Sequence, residues 1–165
     1  MTTPDESITM KTLDAFLGVD LGTHCGFARY DHLGKGGSYM TGAWDFSITR
    51  FDSPHIRYER FGKALDEHFT LGVTKVFYET VRRHLGTTAA HVYGAFLNKL
   101  HEKCAEYDVP FEGLTVQEIK THATGKGNGS KDMIGKACKA WGFNPKTEDE
   151  ADAIAILKCA METKL

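Results

Sequence analysis

The stretch AFLGVDLGTHCGFARY, residues 15–30, decides how this chain reads. Its first half, residues 15–22, is an apolar run closed by glycine, the pattern of a buried strand. Inside that run, between Val19 and Leu21, stands Asp20. A carboxylate in an apolar strand is costly unless it is paired, hydrogen-bonded or bound to a cation. Strand alternation turns it to the face opposite Val19 and Leu21. There it is either a solvated acid at the edge of a sheet or part of a site.

Outward from this stretch, CGFARYDH (25–32) and SYMTGAWDF (38–46) read as two further strands, parted by the turn LGKGG. Short runs with tight glycine punctuation predict an antiparallel meander. The period then changes. Ser53-Pro54 is a helix start, and Phe61, Ala64, Leu65 and Phe69 share one helical face over 53–70. TKVFYET (74–80) is a strand. Residues 87–107 form a long helix with Val92, Tyr93, Phe96, Leu97, Leu100 and Cys104 as its apolar stripe. PFEGLTV (110–116) is a short strand. Ser130 caps a helix carrying Met133, Ile134, Ala137, Cys138 and Trp141, and Asn144-Pro145 leads to a last helix from about 149 to 158. This order predicts an α/β fold, a mixed five-stranded sheet with helices on both faces. Residues 13–165 read as one domain behind a polar tail, residues 1–12, which lacks the pattern of a secretory signal.

Composition narrows the classes. A chain of 165 residues suits one domain. At 41% hydrophobic and 25% charged it is globular rather than disordered or fibrous. No apolar run approaches the roughly 20 residues of a membrane span. Cys25, Cys104, Cys138 and Cys159 are scattered without a C-x-x-C pair. That spacing argues against a zinc site or a disulfide framework, and for buried thiols in a reducing cytoplasm. The net charge of −2 permits nucleic-acid binding without favouring it. Its sign is uneven, with bases at 82–84 and 120–139 and acids at 148–152.

Glu79 repeats the Asp20 anomaly at the end of VFYET. Asp149 and Asp152 lie three apart at the start of the last helix, so they share a face. Helix N-termini favour acids, and alone this pair reads as ordinary first-turn residues. Two strand acids and one helix pair, none with an evident internal partner, describe carboxylates that repel unless cations join them. Hard divalent ions such as magnesium suit such a site, and the four acids are expected to converge in one metal-sized cluster.

Four motifs now carry a resemblance. GVDLGTHCGFARY (18–30) resembles the first-strand motif of the RuvC family of phage and bacterial Holliday-junction resolvases, where an acid precedes a G-x-x-x-G turn. VFYET (76–80) is similar to that family's second acidic strand, and DEADAIAIL (149–157) to its D-x-x-D terminal helix. IKTHATGKGNGSKDMIGKAC (119–138) resembles its basic loop and following helix. The motifs run in the family's order from about residue 15 to 158.

The resemblance implies an RNase H-like fold and a metal-dependent endodeoxyribonuclease that nicks four-way junctions and other branched DNA. It implies a metal-binding, catalytic tetrad of Asp20, Glu79, Asp149 and Asp152. Two magnesium ions, with manganese as substitute, would sit there, bridged by Asp20. It places Lys120 and Lys131 near the scissile strand, with Lys131 supporting transition-state charge. Where bacterial members carry a stacking aromatic, this chain has Arg82, Arg83 and His84, and these arginines with Lys126 are candidate DNA contacts. Two symmetric nicks across a junction, with one carboxylate cluster per chain, call for a homodimer, and helix 87–107, with His91, Tyr93, Gly94 and Asn98, is the expected contact. The resemblance implies the cytoplasm of a bacterial or phage-infected cell.

Other readings compete. Residues 149–152 spell DEAD, a helicase string, but GKGNGSK (125–131) lacks P-loop spacing. Actin-like ATPases share the glycine hairpin but need a second domain. A junction-binding architectural protein with slow cleavage, and an RNase H-like nuclease acting on RNA–DNA hybrids, remain as alternatives.

Overall fold

The computed structural model describes residues 14–165, so the polar tail at 1–12 lies outside the described residues. A meander of β1 (Ala15–Asp20), β2 (His24–Leu33) and β3 (Gly36–Asp45) comes first. It is followed by α1 (Ile56–Thr70), β4 (Lys75–Thr80), α2 (Thr87–Glu106) and β5 (Phe111–Thr115). Three helices close the chain: α3 (Val116–Thr124), α4 (Lys131–Ala140) and α5 (Glu148–Thr163). The strands form one sheet in the order β3-β2-β1-β4-β5, antiparallel across the meander and parallel from β1 through β4 to β5.

Alternation along the strands sorts side chains onto two faces. Leu17, Val19, Val76 and Tyr78 pack with Phe61 and Leu65 of α1 and Phe96 and Leu100 of α2. Ala28, Phe77 and Leu114 pack with Ile119 of α3, Ile134 of α4, and Ile154 and Leu157 of α5. Helices therefore cover both faces, as the sequence predicts. Register pairs Gly18 with Phe77 and Val19 with Tyr78. One step further, Asp20 and Glu79 turn together to the α5 face.

Helix α5 lies very close to the sheet. Ala151, Ala153, Ala155 and Ala160 are buried on it, and small side chains allow short interaxial distances. A Cβ on Gly18 would stand 3.0 Å from the Ala153 carbonyl and from Leu157 Cβ. All four cysteines are buried. No helix among the described residues is long and apolar enough to cross a membrane.

Three boundaries differ from expectation. The segment after β5 is not loop but helix α3, nucleated by a capping box: Thr115 Oγ1 accepts from the Glu118 amide, and the Glu118 carboxylate accepts from the Thr115 amide. The T-x-x-E spacing at 115–118 announces it, and the short length of the helix hid its apolar stripe. Helix α1 begins at Ile56 rather than near Ser53, because the Ser53 hydroxyl bonds His55 Nδ1 at 2.7 Å instead of capping an amide. Helix α5 runs to Thr163, five residues beyond the expected end. There the Thr163 hydroxyl satisfies the Cys159 carbonyl at 2.6 Å.

A buried guanidinium fixes the end of α1. Arg29 of β2 donates to the carbonyls of His68 (2.9 Å) and Leu71 (2.8 Å) and forms a forked pair with Asp31 (2.7–3.0 Å). His68 itself is buried against Phe27 and Trp44, and its Nδ1 has no hydrogen-bond partner. Burial, with the Arg29 charge adding, pushes its pKa down to about 4. The unfolded chain protonates near 6.5, so this contribution to stability is intact above that pH and lost as pH falls through about 4. The loss is on the order of 2 kcal/mol, allowing for solvent screening. Urea unfolding of wild type and His68→Phe at pH 7.5 and 4.5 is expected to show the variant gaining by that amount at the lower pH. An equal response of both proteins to pH would remove His68 from this role.

Candidate active site

Four acids meet at the carboxyl end of the parallel strands β1 and β4. Asp20 ends β1 and Glu79 lies at the end of β4, both half-buried. Asp149 and Asp152 come from the first turns of α5, also half-buried. What lets α5 reach this point is Gly26, the cross-strand partner of Asp20. A Cβ there would lie 1.8 Å from the Asp149 carbonyl oxygen, so only glycine admits the helix terminus against β2.

Two further residues position the acids, and neither was assigned to the site from sequence. Glu150 is buried between the two aspartates and clamps the start of α5. Its carboxylate accepts from the Thr41 hydroxyl of β3 (2.7 Å) and from the Lys146 amide (2.8 Å). The T-x-x-E spacing of Thr147 and Glu150 was its sequence signal, and the Thr147 hydroxyl does accept from the Glu150 amide at 3.1 Å. Tyr93 of α2 donates to the Glu79 carbonyl at 2.7 Å and accepts from the Val81 amide at 3.3 Å. Expected on an outward contact face, it instead braces the strand end that carries Glu79.

The electrostatics are those of crowded acids. Asp20 is pushed up to about 8, first by burial and then by Asp152, Glu79 and Asp149, with Lys131 pulling the other way. Burial and Asp152 raise Glu79 against the charges of Lys131 and Lys120. Burial raises Asp152 too, although it accepts a hydrogen bond from Lys131. Lys131, at the start of α4, places Nζ 2.7 Å from Asp152 and 4.0 Å from Glu148.

The acids thus share one end of the sheet and act on one another. Yet among the described residues no three His, Cys, Asp or Glu side chains stand close enough to hold an ion as they are. The side chains as they stand do not form the expected single metal-sized cluster, for a physical reason. Like charges spread apart, and Lys131 draws the Asp152 carboxylate to itself. The donor set is all hard oxygen, with a mutual repulsion that the surrounding lysines only partly offset. Such a set fits divalent magnesium or manganese.

The candidate phosphate contacts distribute unevenly. Lys120 sits on α3, half-buried and near enough to act on Glu79. Arg82 and Arg83 are exposed just beyond β4 and line an open cleft of about 530 Å³ with Thr115 and Gln117. A second cleft, about 740 Å³, opens between Leu21-Gly22-Thr23 and the start of α2. Lys126 is exposed in the turn after α3, where the Thr124 hydroxyl holds its backbone.

A mixed five-stranded sheet of this order, with helices on both faces, is the RNase H-like fold. Among solved structures, the chain is similar to T. thermophilus RuvC in complex with a Holliday-junction substrate. The TM-score is 0.77 at 19% identity, over 90% of this chain and 93% of that one. It is also similar to the Thermus thermophilus RuvC structure, with a TM-score of 0.73 at 20% identity over 89% and 93% of the two chains. The fold is the RuvC fold. No protein-family model and no curated protein sequence matches the chain.

Proposed function

We propose that this chain is a metal-dependent endodeoxyribonuclease that nicks four-way junctions and other branched DNA, acting as a twofold homodimer. The observation that carries the reading is the gathering of Asp20, Glu79, Asp149 and Asp152 at one sheet end within a RuvC fold, with Asp20, Glu79 and Asp152 raised by burial and by neighbouring acids. Its solved neighbour was captured on a Holliday junction, which favours branched DNA as the substrate here.

Asp20, Glu79, Asp149 and Asp152 would hold two magnesium ions, with manganese as substitute. Bound there, the ions would supply Lewis acidity and neutralise charge during hydrolysis of a phosphodiester. In that reaction a water oxygen bonds to phosphorus and one ester P–O bond breaks. The chain's own groups do the rest. Gly26, Glu150 and Tyr93 hold the acid-bearing termini in place. Lys131, which bonds Asp152 at 2.7 Å, would turn its ammonium to the substrate phosphate and stabilise charge that grows during attack. Lys120, Arg82, Arg83 and Lys126 hold the DNA backbone around the cut.

Resolving a four-way junction takes two nicks placed across it, and one chain carries one carboxylate site. A twofold pair supplies the second. His91, Gly94 and Asn98 of α2 are exposed and form the proposed contact.

The deciding experiment is cleavage of end-labelled duplex, fork and mobile-junction DNA with magnesium, alongside sedimentation at micromolar concentration. Paired symmetric nicks on the junction by a dimer are expected. Junction binding without nicks favours an architectural protein. Nicking of RNA–DNA hybrids by a monomer indifferent to branches favours a hybrid nuclease.

A further inference from the structure

Lys131 faces two ways. Toward β1 it meets the carboxylates; away from them it forms one end of a groove of about 350 Å³ between α4 and the segment entering α5. Lys136, Lys139 and Lys146 line the same groove, and its acids are Asp132 and Glu148. That leaves an excess of two positive charges on a chain whose net charge is −2. Lys136 is paired with Asp132 at 3.1 Å along α4. Lys139 and Lys146 are exposed, and neither has an acidic partner among the described residues.

The floor of the groove is a second observation. Gly135 sits mid-helix in α4 and lines the groove. Glycine there weakens the helix relative to alanine, and packing does not require it, since a Cβ would meet nothing within 4 Å. A bare helix backbone below a row of ammonium groups lets another molecule's backbone come close.

We infer that this groove holds the phosphodiester backbone of the duplex arm leading away from the carboxylate site of a branched DNA. The inference rests on the proposed function and extends it from Lys131 outward to lysines that have no part in the chemistry. The choice of occupant follows from continuity and charge. Lys131 is both the inner end of the groove and 2.7 Å from Asp152, so a strand passing the carboxylates runs on into it. Lysines are flexible point charges, suited to phosphates and not to reading bases, so the groove grips an arm irrespective of its sequence.

Salt titration of junction binding in EDTA tests this. For K136A/K139A/K146A on long-armed junctions, the slope of log affinity against log salt is expected to flatten by about 2–3, near 0.9 for each lost phosphate contact. On junctions whose arms are trimmed back to the crossover, variant and wild type should coincide. K35A/K63A, removing two exposed lysines elsewhere, should leave the slope unchanged. Gly135→Leu keeps every charge but fills the floor; it is expected to bind long arms about tenfold more weakly while melting no lower than wild type. If wild type binds and nicks junctions but the triple variant keeps the full slope, or loses equally on trimmed arms, the groove assignment is overturned and the nuclease reading stands. If wild type neither binds nor nicks branched DNA, the nuclease reading fails first and the groove goes with it.

Discussion

Asp20→Asn is expected to nick junctions at least about 1,000-fold more slowly than wild type and, in EDTA, to melt higher. The rate loss corresponds to about 4 kcal/mol of transition-state stabilisation, the size expected when a central ligand for catalytic cations is removed. The stability gain has a separate origin. Burial and three neighbouring acids raise the Asp20 carboxyl to about 8, so an ionised side chain at this position costs folding energy. The amide has nearly the same shape and no charge. A gain of about 1–2 kcal/mol, from relief of like-charge repulsion, converts to a rise of about 3–6 °C. Magnesium should reverse the order, raising the wild-type melting temperature and leaving the variant almost unmoved. Single-turnover nicking and thermal melts with and without magnesium measure both effects. Cleavage within tenfold of wild type, or an equal magnesium shift in both proteins, would take Asp20 out of the metal site.

Gly26→Ala should be the most damaging single methyl group in the protein. The added Cβ would stand 1.8 Å from the Asp149 carbonyl oxygen and 2.9 Å from the Glu150 amide nitrogen. Both are backbone atoms of a helix end that Glu150 pins to Thr41 and Lys146, so no flexible side chain is there to yield. Either β2 or the whole start of α5 must shift. Overpacking of this kind costs roughly 3 kcal/mol or somewhat more, a fall of about 6–12 °C in melting temperature. Because the displaced segment carries Asp149 and Asp152, cleavage should fall further than the remaining folded fraction explains. Gly36→Ala is the control, since a Cβ there meets nothing within 4 Å, and it should change the melting temperature little. A Gly26→Ala protein with wild-type stability and rate would show that α5 does not depend on this contact.

Much of the architecture was legible because it rests on period and punctuation. The Asp20 strand, the meander, the two long helices and the mixed sheet all followed from apolar spacing and glycine-rich turns. Helix α3 escaped because nine residues are too few for an apolar stripe to stand out, although the capping pair Thr115 and Glu118 was in plain view. The early start assigned to α1 failed on a side-chain choice. Ser53 had a histidine two residues on to bond, and local sequence does not say which partner a hydroxyl will take.

At the site, the sequence by itself determined which residues are anomalous. Asp20 and Glu79 stood out because a charge in an apolar strand demands an explanation, and Asp149 and Asp152 because helix spacing put them on one face. Only the tertiary structure decided that these acids, drawn from three elements up to 132 positions apart, share one end of a sheet. Contact across such separations depends on strand order and on how closely α5 can approach. That approach turns on Gly26 and Gly18 meeting helix backbone, and on a buried Glu150 that nothing in the run of acids at 148–152 set apart. Tyr93 likewise carried the signature of an apolar helix face and proved to brace the Glu79 strand. Composition and spacing describe what a residue is able to do. Which of its possible partners it meets is settled by packing, because burial and distance, rather than residue type, set the cost of a charge and the worth of a hydrogen bond.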